Sequence, residues 1–131
     1  MKKIFQLAVI IMAFLPTIGF TQTKFAPWPQ MIIFHSFMAA TFHPAEEGNL
    51  QPLREKADSL YNAAQNWQAS TIPYNYKPTE TAAALKKLVK QCASIKKYVG
   101  AKMSDKDLTH LITEAHEIFH NIAGECKKVD E

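Results

Sequence analysis

Apolar positions in the second half of the chain recur at three- and four-residue steps, the spacing of an amphipathic helix. They predict three helices, over about residues 50–69, 80–99 and 104–126. Their apolar stripes consist of Leu53, Ala57, Leu60, Tyr61, Ala64 and Trp67 in the first, Leu85, Leu88, Val89, Cys92, Ile95 and Val99 in the second, and Leu108, Leu111, Ile112, Ala115, Ile118, Phe119, Ile122 and Cys126 in the third.

An additional helix is predicted before these three, over about residues 29–42, and it is apolar around most of its circumference. Such a helix is buried on most sides. Pro29 suits its first turn. Pro44 disfavours a helical conformation at His43, and Gly48 follows shortly after, so we expect a turn near residues 43–49.

No useful run of alternating polar and apolar residues suggests a strand. Four amphipathic helices joined by mostly short links are typical of a helical bundle. We therefore predict an all-α fold: an antiparallel up-and-down four-helix bundle over residues 29–128, preceded by an entry segment over residues 22–28.

The first 21 residues have the pattern of a signal peptide, with Lys2 and Lys3 followed by an uncharged apolar run and a polar end. An uncleaved membrane anchor is the alternative, but the apolar run is short for a span of about 20 residues and contains Pro16. We predict cleavage before Gln22, a periplasmic or secreted product, and no membrane contact after cleavage.

Cleavage would remove two of the 15 basic residues and none of the 12 acidic ones, so the net charge would fall from +3 to +1. The remaining lysines form no basic stripe and are expected on solvated helix faces. Composition therefore gives no support for a nucleic-acid partner.

The chain has two cysteines, Cys92 and Cys126, each on an apolar stripe. Export favours a disulfide. However, an antiparallel hairpin of the last two helices would separate the two residues by about 20 Å along the axis, whereas a disulfide needs Cα atoms within about 7 Å. We predict that Cys92 is buried and unpaired. Cys126 is predicted near a helix end, where its thiol could link two copies of the chain in a homodimer or bind a soft metal.

Four of the five histidines lie in two stretches, FHSFMAATFH (34–43) and HEIFH (116–120). His116 and His120 are four residues apart, so they share one side of a helix. In an up-and-down bundle, His35 and His120 would both stand about 9 Å from the same end of neighbouring helices. Three imidazoles from two helices suit zinc or copper, and we predict His35, His116 and His120 as primary ligands.

The stretch HPAEE (43–47) supplies candidates for the remaining coordination positions: His43, Glu46 and Glu47. The same five residues also match the start of a helix, with Pro44 at the first position and acids in the first turn. Both interpretations stay open at the level of the sequence.

The string H-E-x-x-H at residues 116–120 also occurs in zinc proteases, where the glutamate serves as a base. Such an enzyme needs a third ligand and a substrate cleft, and the predicted bundle offers no obvious cleft. The sequence contains no evident set of nucleophile and base, and no phosphate-binding loop. We therefore expect no enzymatic activity.

The leader, the four helices and a histidine near the end of the last helix resemble the small exported bundles of the b-type and c′-type cytochromes. The c′-type motif C-x-x-C-H is absent, because Cys126 stands alone. The resemblance to b-type members implies haem b held by Met31 or Met38 with His116 or His120. The aromatic walls would be Phe34, Phe37 and Phe119. Residues 41–50, TFHPAEEGNL, also resemble small exported bundle proteins, which implies the fold and no activity.

The leading hypothesis is a bundle that carries, buffers or senses a divalent transition metal. A b-type haem electron carrier and a cofactor-free interaction or chaperone bundle with a protein partner are the alternatives.

Overall fold

The computed structural model describes residues 27–129, and all of its regular secondary structure is helical. The predicted signal peptide (1–21) and most of the entry segment (22–28) lie outside the described residues. The prediction of an all-α bundle is confirmed. Its elements are α1 (Pro29–Glu46), α2 (Gln51–Ala69), α3 (Pro78–Gly100), α4 (Asp105–His120) and a π-helical turn (Asn121–Glu125).

No helix in the described part of the chain is both long enough and apolar enough to cross a bilayer.

Each helix packs against its two neighbours in a ring, in the order α1, α2, α3, α4 and back to α1. Contacts between the ends show that the helices alternate in direction. Arg54, at the start of α2, donates to Asp105 at the start of α4 (2.7 Å) and to the carbonyl oxygen of Met103 (3.0 Å). At the other end, the ring of Trp28 lies 5.5 Å from that of Trp67, at the end of α2. The bundle is therefore antiparallel and up-and-down.

Helix α1 continues four residues beyond the predicted end at residue 42, through Pro44, and stops at Glu46. The prediction of a break at His43 was wrong, because the last turn of α1 includes Pro44. The chain reverses instead at Gly48, which has φ +84°. The backbone N–H groups of Glu47 and Asn49 both donate to the carbonyl of Pro44.

The other helices begin close to their predicted positions. Asn49 accepts the backbone N–H of Gln51 through its side chain (3.1 Å) and so helps to start α2. Ser104 caps α4 by accepting the N–H of Asp107 (3.2 Å). Helix α3 begins at Pro78, two residues earlier than expected.

The core contains most of the predicted stripes of α2, α3 and α4, and it also buries Phe34, Met38 and Phe42 of α1. The other stripe residues are partly buried and pack against it: Tyr61, Val89, Val99 and Leu111. Cys92 and Cys126 are both buried, and neither forms a disulfide. The predicted absence of a disulfide is therefore confirmed.

The end of α4 widens into the π-helical turn and then pairs with the loop before α3. Cys126 accepts the backbone N–H of Lys77 (2.8 Å), and Lys128 donates to the carbonyl of Asn75 (2.8 Å). This short antiparallel pairing fixes the end of α4 against the start of α3, and with it the height of the histidines on α4.

Candidate metal centre

The histidines of α1 and α4 meet along the seam between these two helices. The ring of His116 stacks on that of Phe42, with centroids 3.7 Å apart. One turn of α4 further on, the ring of Phe119 stacks on that of His35, at 5.0 Å. The expected juxtaposition of the two histidine-containing segments is therefore present.

His116 and His120 form the closest pair of potential ligands. Their Nε2 atoms are 3.1 Å apart, and their ring planes are nearly perpendicular, at 88°. Two nitrogens at about 2.0–2.1 Å from one ion and 3.1 Å from each other subtend an angle of about 100° at that ion. The pair thus approaches the bite of a tetrahedral centre. Without an ion, one ring N–H donates to the bare nitrogen of the other ring.

His43 and Glu46 form a second pair, in the last turn of α1. Nδ1 of His43 lies 3.2 Å from a carboxylate oxygen of Glu46, and both side chains are more than half exposed. The ring centroid of His43 lies 6.5 Å from that of His116. The continuation of α1 through Pro44 makes this pair possible, because residues three apart share a face only within a helix.

The electrostatic environment lowers the pKa of His116 below its ordinary value of 6.5. The largest cause is burial, followed by the charge of His120. His43 and His35 act in the same direction, and Glu46 opposes them. All four groups therefore lie close enough to His116 to influence its protonation. A lowered pKa keeps His116 neutral, the form that binds metals.

The remaining predicted ligands are placed less favourably. His35 has its ring face covered by Phe119, with the two planes 7° apart. Glu47 is exposed and forms the cap that ends α1. Within residues 27–129, no three His, Cys, Asp or Glu side chains already form a group that could hold a metal ion. The structure thus brings the nitrogens of His116 and His120 together. His43, Glu46 and His35 lie close enough to influence His116, and Glu47 is not among those groups.

Glu117, the candidate base of the H-E-x-x-H string, lies away from the seam with α1. It lines a groove of about 330 Å³ between α3 and α4, together with Lys87 and Gln91 among others. His116 contacts α1 instead, so the two residues lie on different flanks of α4. This placement does not support a role for Glu117 beside an ion held by His116 and His120.

The residues implied by the resemblance to cytochromes lie in filled parts of the bundle. Met38 is fully buried, and Met31 accepts a hydrogen bond from the hydroxyl of Tyr76 (3.7 Å). The rings of Phe34, Trp67 and Phe119 pack against one another at 5.3–6.0 Å. A haem between them would have to displace these contacts. Haem binding stays a prediction.

Sequence reasoning missed Phe42 as part of the site. Its position next to His43 and seven residues from His35 was a usable signal, since residues seven apart recur on one side of a helix.

Comparison with known proteins adds no identity, since no family model, no curated protein and no solved structure matches this chain.

Proposed function

We propose that this protein binds a divalent transition metal, zinc or copper, through His116 and His120. The observation that carries the proposal is the 3.1 Å separation of their Nε2 atoms. His43, Glu46, His35 and Glu47 remain the candidates for further ligands.

The donor chemistry supports this class of ion. Imidazole nitrogen suits zinc and copper, whereas magnesium and calcium prefer oxygen. The lowered pKa of His116 favours binding at neutral pH, because the imidazole is then already neutral and need not release a proton to bind the ion.

The position of the pair supports carriage, buffering or sensing rather than catalysis. His120 is exposed and His116 is half-buried on the flank of the bundle, so an ion can enter and leave without opening the core. Together with the predicted leader, this arrangement suits metal handling in a periplasmic or secreted setting.

The direct test is calorimetric titration of the untagged protein with Zn²⁺ and with Cu²⁺, supported by elemental analysis. We expect one ion per chain. The double variant His116→Gln/His120→Gln should lose this binding. His110→Gln is the matched control, because His110 lies on the same helix, is exposed, and contacts Glu114 at 3.4 Å.

Absence of zinc and copper binding by the unaltered chain would refute the proposal. Undiminished binding by the double variant would also refute it, because the ion would then be held elsewhere.

A further inference from the structure

We propose that His43 is the third nitrogen ligand of this ion and that Glu46 is its positioning residue, not a ligand. The inference rests on the proposed function and specifies the coordination of the same site. It is carried by the geometry of the last turn of α1 and its distance from His116.

The contact between His43 and Glu46 determines which nitrogen of His43 is available. Nδ1 faces the carboxylate at 3.2 Å, so a neutral imidazole places its proton on Nδ1 and donates it to Glu46. Nε2 is then left with a bare lone pair. A histidine ligand almost always has this arrangement, in which its second nitrogen donates to a carboxylate or carbonyl.

The rings of His43 and His116 are already close to the separation that a shared ion requires. Rings that bind one ion through nitrogen have centroids about 5 Å apart, given nitrogen–metal distances of about 2.0–2.1 Å. The centroids of His43 and His116 are 6.5 Å apart, so His43 must approach by about 1.5 Å. Its side chain is 65% exposed and can move by side-chain rotation. The stacking of Phe42 on His116 already fixes the adjacent backbone.

The other candidates are less suited to the third position. A carboxylate of Glu46 bound to the ion would give up the contact that orients His43. The ring contact of His35 is with Phe119, whereas that of His43 is with His116 itself. Three imidazoles and no fourth protein ligand leave one position of a tetrahedral ion open, as in zinc sites that exchange a ligand. An open position suits the transfer of the ion to or from another molecule.

Cobalt(II) is the probe for this inference, because its visible absorption reports the number and type of ligands. We expect His43→Gln to change the spectrum of the cobalt-loaded protein and to weaken zinc binding at least tenfold. Glu46→Ala should weaken zinc binding by about 10- to 100-fold, the usual effect of losing an outer partner, with the cobalt spectrum unchanged.

Two further variants separate positioning from charge. Glu46→Gln should recover part of the affinity, since its amide oxygen still accepts the Nδ1 proton of His43. Glu47→Ala, which removes the same charge one residue away, should leave affinity and spectrum unchanged. Imidazole added to the cobalt-loaded protein should shift the spectrum by occupying the open position.

The inference is overturned if His43→Gln binds zinc as tightly as the unaltered chain, or if Glu46→Ala changes the cobalt spectrum. The first result would leave the proposed function intact, provided that His116→Gln/His120→Gln still abolishes binding. Loss of the proposed function would appear in that double variant instead, so the two failures are distinguishable.

Discussion

His116 combines packing and chemistry in one side chain. One face of its ring packs on Phe42, and its Nε2 meets that of His120. The sequence predicted the pairing with His120 from the four-residue spacing. It could not predict the stacking on Phe42, because that contact depends on the side-chain conformations of two residues 74 positions apart.

The lowered pKa of His116 predicts a dependence of stability on pH. The folded state binds the proton of His116 less readily than the unfolded chain does, so its contribution is complete above about pH 6.5. It is lost as the pH falls from 6.5 through the lower folded value. We expect the midpoint of thermal unfolding of the metal-free protein to decrease over this range.

His116→Gln should flatten part of that pH dependence, whereas His110→Gln should not. Calorimetry between pH 5 and 8 measures both. The pKa of His116 is influenced by His120, Glu46, His43 and His35. If the midpoint of unfolding of His116→Gln depends on pH as strongly as that of the unaltered chain, His116 is not a source of the dependence.

The two buried cysteines differ in hydrogen bonding, and matched substitutions test that difference. Cys92 is fully buried, and burial raises the pKa of its thiol to about 12. Cys92→Ser would place a hydroxyl in the apolar core, and we expect the free energy of unfolding to fall by about 1–3 kcal/mol. Cys126→Ser should cost less, because Cys126 already donates to Oδ1 of Asn121. Urea denaturation followed by fluorescence gives both values.

At the scale of single helices, the sequence predicted the number, type and approximate limits of the elements. The periodic stripes of α2, α3 and α4 carried most of that information. The end of α1 was predicted four residues too early, because a proline normally marks a boundary. The error matters for the site: His43 and Glu46 share a face only because α1 continues through Pro44.

Two glycines near helix ends should respond to substitution in opposite directions. Gly48 has φ +84°, and Gly100 ends α3 without a positive φ; an added Cβ would meet nothing within 4 Å at either position. Gly48→Ala should cost about 1–2 kcal/mol, the penalty of a left-handed conformation. Gly100→Ala should stabilise by about 0.4–1 kcal/mol, because it restricts the unfolded chain.

Chemical denaturation of the two alanine variants under identical conditions measures both changes. Equal effects of the two substitutions would show that backbone conformation at Gly48 is not what ends α1.

At the scale of the whole molecule, an ion held by His116, His120 and His43 would join the first helix to the last. Binding to the folded state alone stabilises a protein by about 2.7 kcal/mol at a ligand concentration 100 times Kd. We therefore expect zinc to raise the midpoint of thermal unfolding and a chelator to reverse the rise. His116→Gln/His120→Gln should show no rise, and His110→Gln should respond as the unaltered chain does.

The overall arrangement was predictable because four amphipathic stripes with mostly short links have few ways to pack. The height of His35 relative to the pair on α4 followed from counting residues along antiparallel helices. The aromatic stacking of His35 and the orientation of His43 by Glu46 did not follow, since both depend on local side-chain packing that periodicity does not encode.

The aromatic contacts of Trp28 and the pairing of residues 126–128 with the loop before α3 have a common consequence. Tyr76 lies 5.1 Å from Trp28 and pairs with Lys127, so the described chain begins and finishes at one pole of the bundle. Segments that precede residue 27 or follow residue 129 therefore join the bundle at that pole, opposite the pole that carries Arg54 and Asp105.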